Sequence, residues 1–353
     1  MKRFDIHCHY LFRINIDEQR DIFKEEFYKT NTFKCNFLSI PLEYDIDGTK
    51  KEDKLQNLKG LFLKKSFFPN AYAFAGLTHS NNQTSDDFLI QAKELFDAGF
   101  DGFKMLEGYP TFIKYSGVNI DSLLYDKFYS FCEEKKVPIL LHFANPDENW
   151  DINEASKEAI DQGRVYDCSF PTKEEITNQV FNILRKHPKL RLIVAHFGFF
   201  CKHYDNAFKF LNNYENTIID ITPGGEQLIH MSTEWGKWHK YFIDFQDRIV
   251  YGTDFYAFPR NENYETCYTR RPNFVSDFFE DDMEHVYLDS EFKGVNLERK
   301  IVKKIYYKNA ERLLGLPRTI NMTYVSKEIE RFNKMNLNDF DRYDIEYMKK
   351  CFK

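Results

Sequence analysis

Short apolar runs recur along the chain, separated by stretches in which apolar positions return every third or fourth residue. The runs are RFDIHCH (3–9), CNFLSIPLE (35–43), NAYAFAGL (70–77), FDGFKML (100–106), VPILLHF (137–143), RLIVAHF (191–197), TIIDIT (217–222) and RIVYGTD (248–254). Their lengths and their flanking turn residues predict strands. Between them, DDFLIQAKELFDAG (86–99) carries helical spacing and ends in glycine. TKEEITNQVFNILRKHP (172–188) opens with Thr172, has Glu175 three positions on and closes with Pro188. That is a capping box at one end and a proline stop at the other. DSLLYDKFYSFCEEKKVP (121–138) follows the same plan. Eight strands alternating with helices predict a (β/α)8 barrel over residues 1–317, since the crossovers force a parallel sheet. A doubly wound open sheet is the alternative. Residues 318–353 predict a helical tail packed on the barrel, and the segments 144–171 and 255–296 predict long loops at its C-terminal rim, where barrels do their chemistry.

Composition narrows the class. The chain has 353 residues, 42% of them hydrophobic and 17% aromatic, enough for a large core. Its net charge of −6 is spread along the sequence, which argues against nucleic acid or an anionic membrane as partner. No apolar run approaches the ~18 residues of a membrane span. The opening MKRFDIHCHY lacks the apolar stretch and cleavage site of a secretory leader. The seven cysteines form no Cys-x-x-Cys pair, so reduced thiols and a cytoplasmic setting are expected. By base rate alone, a homodimer is the assembly to expect.

The candidate chemistry lies where the strands end. His7 and His9 sit one residue apart at the end of the first strand, so alternation sends both to one side and Ile6 and Cys8 to the other. Alone, His-x-His is a weak signal. However, His142 ends the fifth strand, His196 the sixth and Asp254 the eighth, with Lys104 near the end of the fourth. In a closed barrel these ends converge on one mouth. Imidazole nitrogens and a carboxylate suit a divalent cation such as zinc, with manganese or iron as alternatives.

This set resembles the amidohydrolase superfamily, in particular its amidohydrolase-related branch of hydrolases and metal-dependent decarboxylases. The likeness rests on DIHCHY, GFDGFKMLEG, PILLHFANP, LIVAHFG, RIVYGTDF and the late KNAERLLGL (308–316). It implies a TIM barrel with His7, His9, His142 and Asp254 around a metal, and His196 as a further ligand or catalytic group. Asp254 would orient a water and move its proton, while His196 would polarise the scissile carbonyl. In some branches the lysine at the position of Lys104 is carbamylated and bridges two ions, and Glu107 is a second candidate for that role. One ion is favoured here. Arg260, Arg270 and Arg271, in the final loop, are candidates to clamp a substrate carboxylate.

The resulting expectation is a hydrolase of an amide, lactone or ester in a small, anionic metabolite. The runner-up is a non-oxidative decarboxylase of an aromatic or unsaturated acid. A metal-dependent phosphodiesterase would carry a glutamate where Lys104 stands, and a binding module that had lost its chemistry would show gaps in the ligand set. His203, His230 and His239 lack strand-end positions and are expected to be ordinary.

Overall fold

The computed structural model describes residues 1–10, 14–161, 163–223, 227–257, 270–287 and 290–352, with only the backbone at 158 and 270. Nine parallel strands form one sheet: β1 Arg3–His9, β2 Thr32–Leu38, β3 Ala71–Gly76, β4 Gly102–Gly108, β5 Ile139–Phe143, β6 Leu192–Val194, β7 Thr217–Asp220, β8 Ile249–Val250 and β9 Phe255–Tyr256. Each of β1 to β8 pairs with its neighbour in chain order. The eighth stretch closes the ring: Ile249 pairs with Ile219 on one side, and Phe255 pairs with Cys8 on the other. Between them the Ile6 amide donates to the Tyr251 carbonyl at 3.1 Å. The fold is the (β/α)8 barrel that the strand–helix alternation predicts.

Helices follow the strands at Ile16–Lys29, Gln56–Ser66, Ser85–Asp97, Asp126–Lys135, Lys173–Lys186, Tyr204–Asn213, Trp235–Asp244 and, after a long excursion, Arg299–Leu314. Thr172 and Glu175 form the expected capping box, and Thr84 forms another with Asp87. The predicted elements differ from the structure mainly at their ends. The second strand begins at Thr32 and stops at Leu38, because the chain then turns into a hairpin of Leu42–Tyr44 and Lys50–Glu52. The segment 255–296 is not one loop: it holds β9, a helix Arg270–Glu280 and a hairpin Glu284–Tyr287/Ser290–Lys293. Beyond the barrel, helices Met322–Asn333 and Asp339–Phe352 bury Val325, Ile329, Phe332, Ile345, Met348 and Phe352.

The barrel interior is filled by Phe4, Ile6, Leu38, Tyr72, Phe74, Leu140, Ile193 and Val250, drawn from strands all around the ring. The larger apolar layer lies between sheet and helices. Inward positions repeat every second residue, so Leu140 is followed by His142, Ile218 by Asp220, Val250 by Gly252 and Asp254, and Gly102 by Lys104. In this way apolar core residues give way to ionisable ones at the C-terminal mouth.

Candidate metal centre at the barrel mouth

Strict alternation would not by itself bring His7 and His9 to this mouth. Phe4 and Ile6 already point inward, so His7 would be expected to point out. A register shift between Asp5 and Cys8 against β2 resets the phase. Cys8 then packs in the outer layer, as expected from the sequence, whereas Ile6 lies in the inner cluster beneath the histidines, not on the side of Cys8. Asp5 fastens this turn. Its Oδ1 accepts the His7 amide at 3.0 Å and the Thr253 amide at 3.1 Å, and Oδ2 accepts the Thr253 hydroxyl at 2.5 Å. Strand one is thereby tied to the residue preceding Asp254.

Two further ligand candidates depend on backbone conformations that only a supporting structure maintains. Asp254 has φ +56°, and four successive residues, His196 to Phe199, have φ of +51°, +55°, +62° and +51°. Non-glycine residues avoid this left-handed region, and such outliers cluster at functional sites. By alternation from Ala195, His196 would face outward. The left-handed turn instead brings its ring to 4.8 Å from that of His142 and 5.1 Å from that of His7. Gly252 has a different reason for its identity. A Cβ there would lie 2.3 Å from Thr222 Oγ1, 2.8 Å from His7 Cβ and 2.9 Å from Asp220 Oδ1.

The hydrogen bonds fix both tautomers. His7 Nδ1–H donates to Asp220 Oδ2 at 2.6 Å, and His9 Nδ1–H donates to the Leu38 carbonyl at 3.3 Å. Both Nε2 atoms are then lone-pair acceptors, yet they face each other at 3.1 Å. Asp254 Oδ1 lies 3.5 Å from each of them. Two lone pairs and a carboxylate oxygen converge with no proton to share, an arrangement that a cation between them relieves. Burial pushes His7, His9, His142 and His196 well below the ordinary histidine range, so all four are neutral, the form in which imidazole ligates. Two more buried nitrogens, His142 Nε2 and His196 Nδ1, have no hydrogen-bond partner among the described residues. The donor set fits a divalent cation. Burial also raises Asp254 to about 6, against the pull of Arg271 and Lys104.

Above these groups opens a cavity of about 260 Å³, lined by His9, Lys104, His142, His196 and Asp254 at its floor. Lys104 Nζ is buried without a hydrogen-bond partner among the described residues, and burial lowers it to about 8. Glu107 does not line the cavity; its Oε1 lies 3.5 Å from His79 Nε2, and burial raises its carboxyl to about 7. Arg271 does line it, donating to the Thr253 carbonyl at 3.0 Å and the Asp254 carbonyl at 2.7 Å. Arg260 and the side chain of Arg270 lie outside the described residues, as do residues 224–226. Trp150 packs on Tyr166 and donates to the Pro171 carbonyl, within its own loop. His203 and His230 bond Asp147 and Glu148, and His239 stacks on Trp235; none of the three lines the cavity.

Sequence reasoning passed over Asp220 and Arg164, and left Asp5 out of the site. Asp220 was within reach of the same rule that found the histidines, being an acidic residue at the end of an apolar strand. Arg164 had no such signal, because it lies in an irregular loop.

The family model described as Amidohydrolase matches residues 66–316 of the chain. No curated protein sequence matches it. Among solved structures, an uncharacterized TIM-barrel protein from Bordetella bronchiseptica superposes with a TM-score of 0.56 at 13% identity, covering 89% of this chain and 98% of that one. A 4-oxalomesaconate hydratase from Rhodopseudomonas palustris gives 0.54 at 11% identity, covering 94% and 99%. A dihydroxybenzoic acid decarboxylase from Polaromonas, solved with bound manganese and the inhibitor 2-nitroresorcinol, gives 0.50 at 15% identity, covering 89% and 96%. At these identities the likeness is one of fold.

Proposed function

This chain belongs to the amidohydrolase family, and from that premise we propose that it is a metal-dependent hydrolase of an amide, lactone or ester bond in a small, anionic metabolite. The observation that carries the reading is the pair of facing Nε2 lone pairs with Asp254 Oδ1 at 3.5 Å from both. His7, His9, His142 and Asp254 would hold one divalent cation, with zinc the first choice and manganese or iron as alternatives. When bound, that cation supplies Lewis acidity, lowering the pKa of a water from ~15.7 to ~7. Asp254 accepts the water's proton on its carboxylate and returns it to the leaving group. His196, neutral and with no hydrogen bond at Nδ1 among the described residues, donates in its Nδ1–H tautomer to the oxygen on which charge develops, and is then not a ligand through that nitrogen. Lys104 adds positive charge at the floor and is the residue available for a carbamate should a second ion bind.

One observation favours the decarboxylase as second reading. Lys104, Arg164 and Arg271 all line the cavity, a cationic wall suited to an acid substrate. There the carbon–carbon bond to the carboxylate breaks, CO2 leaves, and the electron pair left on carbon takes a proton from Asp254 in its protonated form. The described cysteines are all free thiols, in keeping with a cytoplasmic enzyme, and no described helix is long and apolar enough to cross a membrane.

A screen of esters, lactones and amides on zinc- and manganese-loaded protein tests the choice. The hydrolase reading expects turnover that is lost on chelation and in Asp254→Asn, with the variant's fold intact. Release of CO2 from aromatic acids without hydrolysis products would transfer the assignment to the lyase. Full activity in Asp254→Asn would overturn the mechanism in either form.

A further inference from the structure

The last helix, Asp339–Phe352, is joined to the barrel by more than its apolar face. Lys59 is fully buried, and three carboxylates surround its ammonium: Asp53 and Asp344 at 3.2 Å and Asp341 at 3.8 Å. Asp341 and Asp344 both belong to that last helix. Asp344 Oδ1 also accepts the Ile16 amide at 3.0 Å, at the first residue of the helix that follows β1. Burial raises both of these carboxyls, so their ionised forms depend on the lysine. A buried ion pair adds little net stability over apolar packing, and its best-attested use is to fix register. An apolar face alone tolerates sliding, whereas one buried ammonium accepts the helix at a single offset.

That register matters because of what stands one turn before Lys59. Gln56 begins the same helix, is buried, and holds both chain segments beside His9. Its Nε2 donates to the Tyr10 carbonyl at 3.3 Å, its Oε1 accepts the Ile40 amide at 3.3 Å, and its backbone carbonyl accepts the Tyr10 hydroxyl at 2.8 Å. With the phenol proton so engaged, Ser39 Oγ, at 2.5 Å, donates to the same hydroxyl. Gly60, next to Lys59, leaves room for it, since a Cβ there would lie 2.6 Å from Tyr10 Oη. Tyr10 follows His9 directly, and Leu38, whose carbonyl accepts the His9 Nδ1 proton, lies two residues before Ile40. His9, Tyr10, Leu38, Ile40 and Gln56 all line the cavity.

We propose that the C-terminal helix acts on the metal centre: Asp344 and Lys59 are positioning residues that hold Gln56 in place and, through Gln56, the seat of His9. The path runs from Asp344 to Lys59, along one helical turn to Gln56, and from there to the residues on both sides of the His9 ring. This deepens the proposed function and rests on His9 being a metal ligand.

The test compares the full-length chain with Asp344→Asn, Gln56→Leu and the double variant, beside Met348→Ala, which removes a fully buried apolar side chain from the same helix. Two quantities are read: zinc affinity by competition with a chromophoric chelator, and hydrogen exchange of the segment 38–42 in the metal-free chain, where the Ile40 amide reports on Gln56. Asp344→Asn should weaken zinc about tenfold and speed the exchange. Gln56→Leu should do at least as much, and the double variant no more than Gln56→Leu alone, because both cuts lie on one path. Met348→Ala should lower the urea midpoint at least as far as Asp344→Asn while leaving both readouts at their native values. Native values in Asp344→Asn, losses that add in the double variant, or equal losses in Met348→Ala would overturn the proposal. Should Asp344→Asn fail to fold, Gly60→Ala displaces Tyr10 with the lysine and its carboxylates intact and must produce the same two changes; native values there would be equally fatal. If the native chain took up no zinc or manganese, the metal-centre reading would fall, and the exchange data would still decide whether the tail reaches Ile40.

Discussion

Asp220→Asn is the substitution that most directly tests whether His7 is set up as a metal ligand. Asp220 is fully buried at the end of β7, and its Oδ2 accepts the His7 Nδ1 proton at 2.6 Å, while Oδ1 accepts the Thr222 amide at 2.5 Å. An asparagine fits the same space. With its carbonyl kept on the Thr222 amide, its NH2 must point at His7 Nδ1, which then has to accept. The ring proton moves to Nε2, the atom that faces His9 Nε2 at 3.1 Å and Asp254 Oδ1 at 3.5 Å. A ligand lone pair is thus replaced by a hydrogen. Hydrogen bonds to charged groups are worth ~1.5–3 kcal/mol, and loss of a partner behind a ligating histidine typically costs ~10–100-fold in metal affinity. The two figures agree, since tenfold is about 1.4 kcal/mol. Competition between protein and a chromophoric zinc chelator reads the affinity, and urea unfolding of the metal-free chain reads the stability. Zinc affinity should fall ~10–100-fold with metal-free stability unchanged or higher, since burial already disfavours the Asp220 carboxylate, raising it to about 7. Affinity within threefold of the native value, or an equal loss of metal-free stability, would refute the reasoning.

Other parts of the molecule carry their own expectations. Gly252→Ala places a methyl 2.3 Å from Thr222 Oγ1, so overpacking should cost ~1–3 kcal/mol in urea unfolding and weaken zinc binding; an unchanged midpoint would contradict the close approach of the eighth strand to His7. Lys59 is fully buried with its Nζ 3.2 Å from both Asp53 and Asp344, the latter on the C-terminal helix. Lys59→Met leaves those carboxylates uncompensated and should cost ~3–5 kcal/mol, partly recovered by adding Asp53→Asn and Asp344→Asn; a cost below ~1 kcal/mol would mean the tail is held by its apolar face alone. Glu148 is opposed by burial but pulled down to about 2 by bonds from His230 and Lys202. A folded-state pKa below the ordinary 4.5 gives stability that is present above that value and is lost as the pH falls toward 2. Glu148→Gln should therefore flatten the decline of the melting temperature between those two pH values, and a parallel decline would show the network to be inert.

What the sequence makes legible here follows from the period of two that a closed barrel imposes. Leu140 and His142, Val250 and Asp254, Gly102 and Lys104 all keep that period, so a strand-end residue could be assigned to the mouth without coordinates. The rule reaches further than the residues first chosen by it, since Asp220 obeys it as well. It fails where the backbone leaves the regular strand. His7 and His9 owe their direction to the register shift after Asp5, and His196 owes its own to a left-handed turn of four residues. Neither leaves a compositional mark, because the turn holds three non-glycine residues beside Gly198. These conformations are upheld from other strands, as when Asp5 bonds the Thr253 amide and hydroxyl 248 positions away. The loop after β5 marks the other boundary. Nothing periodic points to Arg164; Asn149 and Ala159 place it through bonds made by irregular backbone. The metal floor is built from what the barrel repeats, and the wall that would choose the substrate is built from what it does not. Chemistry in this chain is accordingly readable from strand ends, while specificity requires the loops in place.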